Sequence, residues 1–270
     1  MQNAIVFPPK ICIMYVGDHI MAFYEDFGII ADRYDIYNSA DYDSYAAFIA
    51  ERFARADIPV KEVLDPGCGT GELSVRLADA GKSVTAADIS EEMLNELNAK
   101  IKCRDILPVK QDMRELDLFG TVQGCVSAFD CLNYLLTAHD LEKAFCSVGF
   151  FMEKGGIFVF DVNTEYAYKN VYDGKSYVYE TDASMLVWQS AYGANTRKCR
   201  FYLTSFEREG ENYARRDAIH VQKYHPPRTI AKAAKSAGFD ILEICGSTDG
   251  SAPDAGSVKN YYVMKKNRSL

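Results

Sequence analysis

The segment from Val63 to Gly71, Val-Leu-Asp-Pro-Gly-Cys-Gly-Thr-Gly, constrains the fold of this chain more than any other stretch. An apolar run ends in Asp65, three alternate glycines follow, and apolar residues at helical spacing begin at Leu73. Glycine permits positive φ and a close approach of a ligand to the backbone, and a helix N-terminus supplies unpaired N–H groups. The pattern therefore predicts a strand, a tight ligand-binding loop and a helix in succession.

The residue after the last glycine narrows the kind of ligand that this loop can bind. A phosphate-binding P-loop carries Lys followed by Ser or Thr at this point, and a dinucleotide fingerprint carries Gly or Ala. Here the position is occupied by Glu72, whose carboxylate would also repel a pyrophosphate. Together with Asp65 just before the loop, this charge favours a ligand that carries positive groups.

Apolar segments alternate with helical patterns along the chain, which is typical of a parallel sheet with ligands at the carboxyl ends of its strands. Pro108 removes a ladder donor from the third strand, so this strand should lie at a sheet edge. The last two strands are expected to pair as a hairpin. In chain order, the predicted core strands cover residues 63–65, 83–88, 106–111, 122–129, 156–161, 241–245 and 258–264.

The alternation stops after Thr164, where β-type segments rich in aromatic residues follow. We therefore predict a core of residues 21–164 and 226–270, an antiparallel β insertion over 165–225, and an irregular N-terminal arm over 1–20. The insertion would cover the substrate as a lid. The predicted fold class is α/β, a Rossmann-like mixed sheet of seven strands with this insertion after strand five.

Acidic residues stand at the ends of three successive predicted strands, at Asp65, Asp88 and Asp112. An acid at the second position can bind the ribose hydroxyls of a nucleotide held at the glycine loop. An acid one strand further can accept a hydrogen bond from an adenine amino group. A ligand with an amino-acid end, a ribose and an adenine fits this order, and S-adenosylmethionine is such a ligand.

Four motifs in this order resemble those of the class I S-adenosylmethionine-dependent methyltransferases. They are Asp65-Pro66-Gly67-Cys68-Gly69-Thr70-Gly71, Asp88-Ile89-Ser90 with Met93, Gln111-Asp112-Met113, and Phe129-Asp130-Cys131-Leu132-Asn133-Tyr134. The resemblance covers roughly residues 30 to 265 and extends in particular to the bacterial YqeM-like group. It implies an enzyme that uses S-adenosyl-L-methionine and releases S-adenosyl-L-homocysteine.

The resemblance also implies a cofactor site at the carboxyl ends of the first four strands. Asp65 and the glycine loop would hold the methionine end, Asp88 the ribose, and Asp112 the adenine amino group. Packing in the apolar core is the alternative for Ile89, Met93 and Phe129. The residues implied to hold the cofactor are Tyr34, Tyr42, Asp65, Gly67, Gly69, Gly71, Asp88, Ile89, Met93, Asp112, Met113 and Phe129.

Methyl transfer depends mainly on binding and alignment, because the sulfonium cofactor carries an excellent leaving group. A catalytic base is needed only when the acceptor arrives protonated, and each histidine could instead be structural. His139, for example, could simply begin the next helix. The candidate bases are His139, His220 and His225, and the polar candidates near the transfer point are Asp130, Asn133 and Tyr134.

Charge and cysteine usage limit the partners of the chain. The net charge of −8 disfavours nucleic acid, whose binding rests on clustered Lys and Arg. The eight cysteines show no metal-ligand spacing, which predicts a reduced, cytoplasmic protein without a metal site. No apolar run is long enough to span a bilayer, so no membrane partner is expected.

We predict an acceptor that is a small organic molecule, and a monomer or homodimer. One alternative is methylation of RNA or protein, and another is a non-catalytic S-adenosylmethionine-binding protein. The aromatic residues of the insertion could form a lid over an amine, or they could simply pack a β layer. The basic residues that could contact RNA are Lys198, Arg200, Arg208, Arg215 and Arg216.

Overall fold

The structure is a computed structural model that describes residues 28, 30–31, 34–37 and 40–268. The predicted arm over residues 1–20 lies outside the described residues. Two helices, α1 (Tyr34–Tyr37) and α2 (Tyr42–Phe53), precede the first strand. The Asp41 side chain begins α2 by accepting a hydrogen bond from the Ser44 backbone N–H, which satisfies one of the free donors of the first turn.

The remaining elements follow the predicted alternation and its interruption. The first part of the core contains β1 (Glu62–Pro66), α3 (Glu72–Asp79), β2 (Ser83–Asp88), α4 (Glu91–Ile101), β3 (Ile106–Lys110), β4 (Val122–Ser127), α5 (Ala138–Phe151) and β5 (Met152–Asn163). The insertion contains β6 (Ser176–Glu180), β7 (Ser184–Gly193), β8 (Lys198–Glu209) and β9 (Asn212–Lys223). The chain then returns to the core with α6 (Pro227–Ser236), β10 (Phe239–Cys245) and β11 (Lys259–Lys266). A 3₁₀ helix (Cys131–Tyr134) follows β4, and a π-helical segment (Ala167–Tyr172) follows β5.

The core strands form one seven-stranded sheet in the order β10-β11-β5-β4-β1-β2-β3. β1 to β5 pair in parallel, whereas β11 runs antiparallel to both of its neighbours. The predicted seven-stranded mixed sheet is thus confirmed, and β3 with Pro108 lies at its edge. The strand order reverses between β1 and β4, and ligands of such sheets bind at this switch point, beyond the carboxyl ends of the strands.

The two faces of the sheet bury different helices, because successive residues of a strand point to opposite sides. On one face, Ile157 and Val159 of β5 belong to the cluster that includes residues of α2, α3 and α4. On the other face, Phe158 and Phe160 pack against α5 and α6. Both faces are therefore covered, and the carboxyl edge of the sheet is left for a ligand. No helix in the described part of the chain has the length and apolar character needed to cross a membrane.

The insertion forms a separate antiparallel sheet in the order β6-β7-β8-β9, as predicted. Alternate residues of its strands, such as Leu186, Phe201 and Leu203, belong to a third apolar cluster. That cluster also contains Tyr168 of the π-helical segment and Ile30. The predicted packing role is thus confirmed for insertion aromatics such as Tyr168 and Phe201, which are both buried in this cluster.

Candidate functional site

A cavity of about 800 Å³ lies where the carboxyl ends of the core strands meet the insertion. Its lining comes from the glycine loop, from the N-terminal helices and from the inner face of the insertion sheet. Fourteen of the predicted site residues lie in this lining. They are Tyr34, Tyr42, Asp65, Gly67, Gly69, Asp88, Ile89, Met93, Asp112, Met113, Phe129, Asp130, Tyr134 and His220.

The glycine loop needs glycine for two different reasons. Gly67 has φ +82°, and a Cβ there would lie only 2.0 Å from the Cys131 Sγ atom, so its backbone sits tightly against the loop after β4. Gly71 has φ +78°, and a Cβ there would lie 2.2 Å from Leu97 of α4. Gly71 is absent from the cavity lining. Gly71 therefore packs the loop on α4 and lies outside the described cavity lining, and its predicted contact with the cofactor stays a prediction.

The acids at the ends of β1 and β2 are both partly removed from water. Asp65 is buried and accepts a hydrogen bond from the Ser74 hydroxyl at 2.6 Å. Burial raises the pKa of Asp65 to about 7. The hydrogen bond from Ser74 acts to lower this pKa, and the charge of Asp88 acts to raise it. Asp88 accepts from the backbone N–H groups of Gly69 at 2.8 Å and Ser90 at 2.9 Å, and burial still raises its pKa.

The chemistry of these two acids fits a ligand that carries positive charge. Neither Asp65 nor Asp88 forms an ion pair with a basic side chain of the described chain, and burial is the main cause of both pKa shifts. A buried carboxylate without a cation is costly, so a ligand that brings a cation gains from pairing with it. An ammonium group near Asp65 and ribose hydroxyls near Asp88 would satisfy both acids.

The acid that follows β3 has a partner that sequence reasoning missed. Asp112 accepts from the Arg114 Nε at 3.0 Å and from the Arg114 backbone N–H at 2.9 Å. The Arg114 guanidinium also lies 3.4 Å from Asp140. These hydrogen bonds from Arg114 hold the pKa of Asp112 below its ordinary value. An adenine amino group would therefore share Asp112 with Arg114.

Ile89 and Met93 differ in their surroundings although both line the cavity. Ile89 is 58% exposed, so core packing does not explain it. Met93 is 2% exposed and belongs to the helix that Ser90 caps, where the Ser90 hydroxyl accepts from the Met93 backbone N–H. Met93 is thus a core residue that also reaches the cavity, and the apolar contact with an adenine stays a prediction for both.

The turn after β4 holds two neighbouring residues in a left-handed conformation. Phe129 and Asp130 both have φ +56°, which costs a non-glycine residue energy. The buried carboxylate of Asp161 accepts from both backbone N–H groups, at 2.6 Å from Phe129 and 2.9 Å from Asp130. Tyr45 donates to the same carboxylate at 2.9 Å. Asp161 therefore holds the strained turn that presents Phe129 and Asp130 to the cavity.

A lysine from the last strand completes this cluster. Lys259 lies 2.6 Å from Asp161 and 2.7 Å from Asp130, and it shares one positive charge between two carboxylates. Gln222 of the insertion donates to Asp130 at 2.5 Å from the other side. Asp130 thus joins the core to the insertion at the wall of the cavity.

The candidate catalytic residues separate into two groups. Tyr134 and His220 line the cavity, with the Tyr134 hydroxyl 3.4 Å from His220 Nδ1. Asn133 is buried outside the lining, where it donates to the Lys223 carbonyl at 2.8 Å and accepts from Asn163 N–H. Its place is structural, because it ties the 3₁₀ helix to β5 and β9.

Two histidines are also displaced from the site. His139 is exposed in the first turn of α5, which Thr137 caps, and it does not line the cavity. His225 is buried with Nε2 donating to the Leu135 carbonyl at 2.7 Å, and burial lowers its pKa to about 4. The structure thus corrects the placement of Asn133, His139 and His225, and leaves Tyr134 and His220 as candidates facing an acceptor.

Several polar groups at the cavity remain uncharged near neutral pH. Burial, followed by the charge of Asp130, raises the pKa of Tyr34, Tyr134 and Tyr172. Burial likewise raises the pKa of the thiols of Cys68 and Cys131 well above its ordinary value. The thiols of Cys68 and Cys131 therefore stay protonated near neutral pH, so neither is a ready nucleophile.

Comparisons with known proteins agree with this fold and site. A family model described as a methyltransferase domain matches residues 63–156. "Putative methyltransferase YqeM" of Bacillus subtilis (strain 168) is 31% identical over 250 residues, which cover 92% of this chain and 98% of that protein. A relative of the same description from Geobacillus sp. (strain WCH70) is 30% identical over 248 residues, covering 90% and 99% of the two chains.

A solved structure shows the same architecture. The crystal structure of an S-adenosylmethionine-dependent methyltransferase from Clostridium acetobutylicum ATCC 824 matches with a TM-score of 0.79 and 25% identity, over 89% of this chain and 97% of that one. Fold and site thus define a class I methyltransferase whose cofactor is S-adenosyl-L-methionine. Within this class, the chain belongs to the YqeM-like family, as its motifs predicted.

Proposed function

We propose that this enzyme transfers the methyl group to a small organic molecule. The observation that carries the proposal is the cavity of about 800 Å³, whose lining joins the predicted cofactor residues to the inner face of the insertion. This volume lies within the range of sites that bind small molecules. It would hold the donor and the acceptor side by side, under the insertion as a lid.

The chain's own residues would bind, orient and exclude water. S-adenosyl-L-methionine supplies an activated methyl group on a sulfonium sulfur when it is bound. Asp65 and the backbone of Gly67 and Gly69 would hold its amino-acid end, and Asp88 its ribose. The aromatic inner face of the insertion would keep the acceptor aligned and dry, and alignment supplies much of the acceleration.

The alternative of an RNA acceptor finds less support, because the basic side chains of the insertion do not line the described cavity. Arg215 pairs with Asp217 at 2.9 Å, and Arg216 lies 3.8 Å from Glu207. Carboxylates beside these arginines would repel phosphates, whereas RNA binding needs a continuous basic surface.

A turnover screen tests the proposal against both alternatives. The purified protein would receive S-adenosyl-L-methionine with a metabolite pool, with total RNA or with a protein extract, and S-adenosyl-L-homocysteine formation would be measured. We expect turnover with the metabolite pool alone. Turnover only with RNA or protein would contradict the proposal, and cofactor binding without turnover in any pool would favour the non-catalytic binder.

Replacing Asp88 by Ala is expected to weaken S-adenosyl-L-homocysteine binding by about 1 to 3 kcal/mol in titration calorimetry. The variant would lose the acceptor for the ribose hydroxyls and would release the Gly69 backbone N–H, which Asp88 now holds at 2.8 Å. Asp79→Ala is the matched control, since Asp79 is exposed and pairs only with Arg104 of the described residues. Equal affinities of the two variants for S-adenosyl-L-homocysteine would show that Asp88 does not contribute to the cofactor site.

A further inference from the structure

We propose that the acceptor is an amine with an apolar body, bound at the end of the cavity that the insertion covers. This proposal rests on the small-molecule acceptor proposed above and names its chemical class. Two features of the described cavity carry it: the balance of charge and the aromatic rings of the insertion.

In the described lining of the cavity, no Lys or Arg side chain is free of a carboxylate partner and so available to an anionic acceptor. Seven carboxylates and two basic side chains line it, and each basic side chain already contacts two carboxylates. The contacts are Arg114 with Asp112 and Asp140, and Lys259 with Asp130 and Asp161. A carboxylate, a phosphate or a phenolate would enter a site of net negative charge, whereas a positive charge on the acceptor would be stabilised there.

The insertion contributes five aromatic rings to the lining, Tyr172, Tyr177, Tyr179, Trp188 and Phe201, which we call the aromatic wall. The Phe201 ring centroid lies 5.5 Å from that of Tyr172 and 5.4 Å from that of Trp188, at interplanar angles of 87° and 75°. Tyr177 lies opposite Trp188 in the sheet register. Rings set at these angles enclose a space from several sides, and ring faces attract cations within about 6 Å.

Methylation of an amine places charge where these groups can stabilise it. The reacting form is the free base, whose proton has gone to solvent. Its nitrogen lone pair forms the new N–C bond while the S–C bond of the donor breaks, so the positive charge moves from sulfur to nitrogen. The aromatic wall and Asp130 would therefore stabilise the transition state more than the neutral amine, which is the condition for catalysis.

The test compares three probes of one shape on protein saturated with S-adenosyl-L-homocysteine: choline, 3,3-dimethylbutan-1-ol and 3,3-dimethylbutanoate. Trp188 is the one tryptophan of the chain, so fluorescence reports directly on the aromatic wall. We expect choline to bind about 2- to 30-fold more tightly than its neutral isostere, and the carboxylate to bind most weakly. Asp130→Asn, which keeps a residue tolerant of positive φ, should shrink the preference for choline.

Asp217→Asn is the control, because Asp217 lies on the insertion outside the cavity lining, and it should keep the preference for choline. Circular dichroism would confirm that both variants fold. Equal affinities of choline and the alcohol, tightest binding of the carboxylate, or no response of Trp188 to choline would overturn the amine proposal. The turnover screen tests the small-molecule proposal separately. If the screen finds methylation of a phenol or a carboxylic acid, the small-molecule proposal stands and the amine proposal fails.

Discussion

Replacing Asp161 by Ala is expected to lower the free energy of unfolding by about 3 to 5 kcal/mol, the cost of breaking a buried ionic cluster from one side. The variant would leave the backbone N–H groups of Phe129 and Asp130 and the hydroxyl of Tyr45 without their acceptor. Lys259 would keep only one of its two carboxylates. The left-handed turn would then lose the contacts that offset its strain, and urea denaturation would measure the loss.

The matched control for this prediction is Asp217→Ala, which removes an exposed carboxylate paired with Arg215. Surface ion pairs contribute little, so its effect should stay below about 1 kcal/mol. A double variant of Asp161 and Lys259 should cost less than the two single variants added together, because they act in one cluster. Equal losses for Asp161→Ala and Asp217→Ala would show that the turn does not depend on the Asp161 hydrogen bonds.

The cofactor-free protein is expected to lose stability through Asp65 as the pH rises from about 4 to about 7. Burial raises the pKa of Asp65 from 3.8 to about 7, so in this range the folded protein keeps a proton that the unfolded chain releases. Unfolding then becomes easier with rising pH, and the contribution levels off above pH 7 at about 4 kcal/mol. Below pH 4 both states are protonated and the penalty is absent.

The variant Asp65→Asn isolates this contribution from the other titrating groups. An Asn can still accept from Ser74 but carries no charge, so the variant should exceed the natural protein in stability by about 2 to 4 kcal/mol at pH 8 and by little at pH 4. The same variant should bind S-adenosyl-L-homocysteine more weakly, because the ligand's ammonium loses its partner. Asp79→Asn is the exposed control, and urea curves that differ by the same amount at both pH values would contradict the prediction.

Most of the fold and the donor half of the site could be predicted from local patterns. The Ser90 hydroxyl, for example, caps α4 by accepting from Met93 N–H, a local contact because a cap depends on residues three apart. Asp65 and Asp88 were predicted to come together because the carboxyl ends of parallel strands meet at one edge whatever the details of packing. Pro108 likewise predicted that β3 lies at the sheet edge, because proline has no backbone N–H to donate to a neighbouring strand.

The acceptor half depended on contacts between segments far apart in the chain. Asp161 ends a predicted strand, as Asp65 and Asp88 do, but its role in the site was not predicted. Lys259 and Gln222, by contrast, have no local motif, yet they converge on Asp130 from β11 and β9. Arg114 was missed as well, although it is close to Asp112 in sequence, because the direction of a side chain in a loop has no periodic pattern.

The sequence by itself therefore determined the fold class, the glycine loop and the cofactor. Each of these follows from spacing within one segment or from the shared edge of parallel strands. Only the tertiary structure decided that Asn133 turns away from the cavity while Tyr134 and His220 face it. The physical reason is that these orientations are set by the register between the insertion, the last strand and the turn after β4, which are long-range contacts that no local sequence pattern encodes.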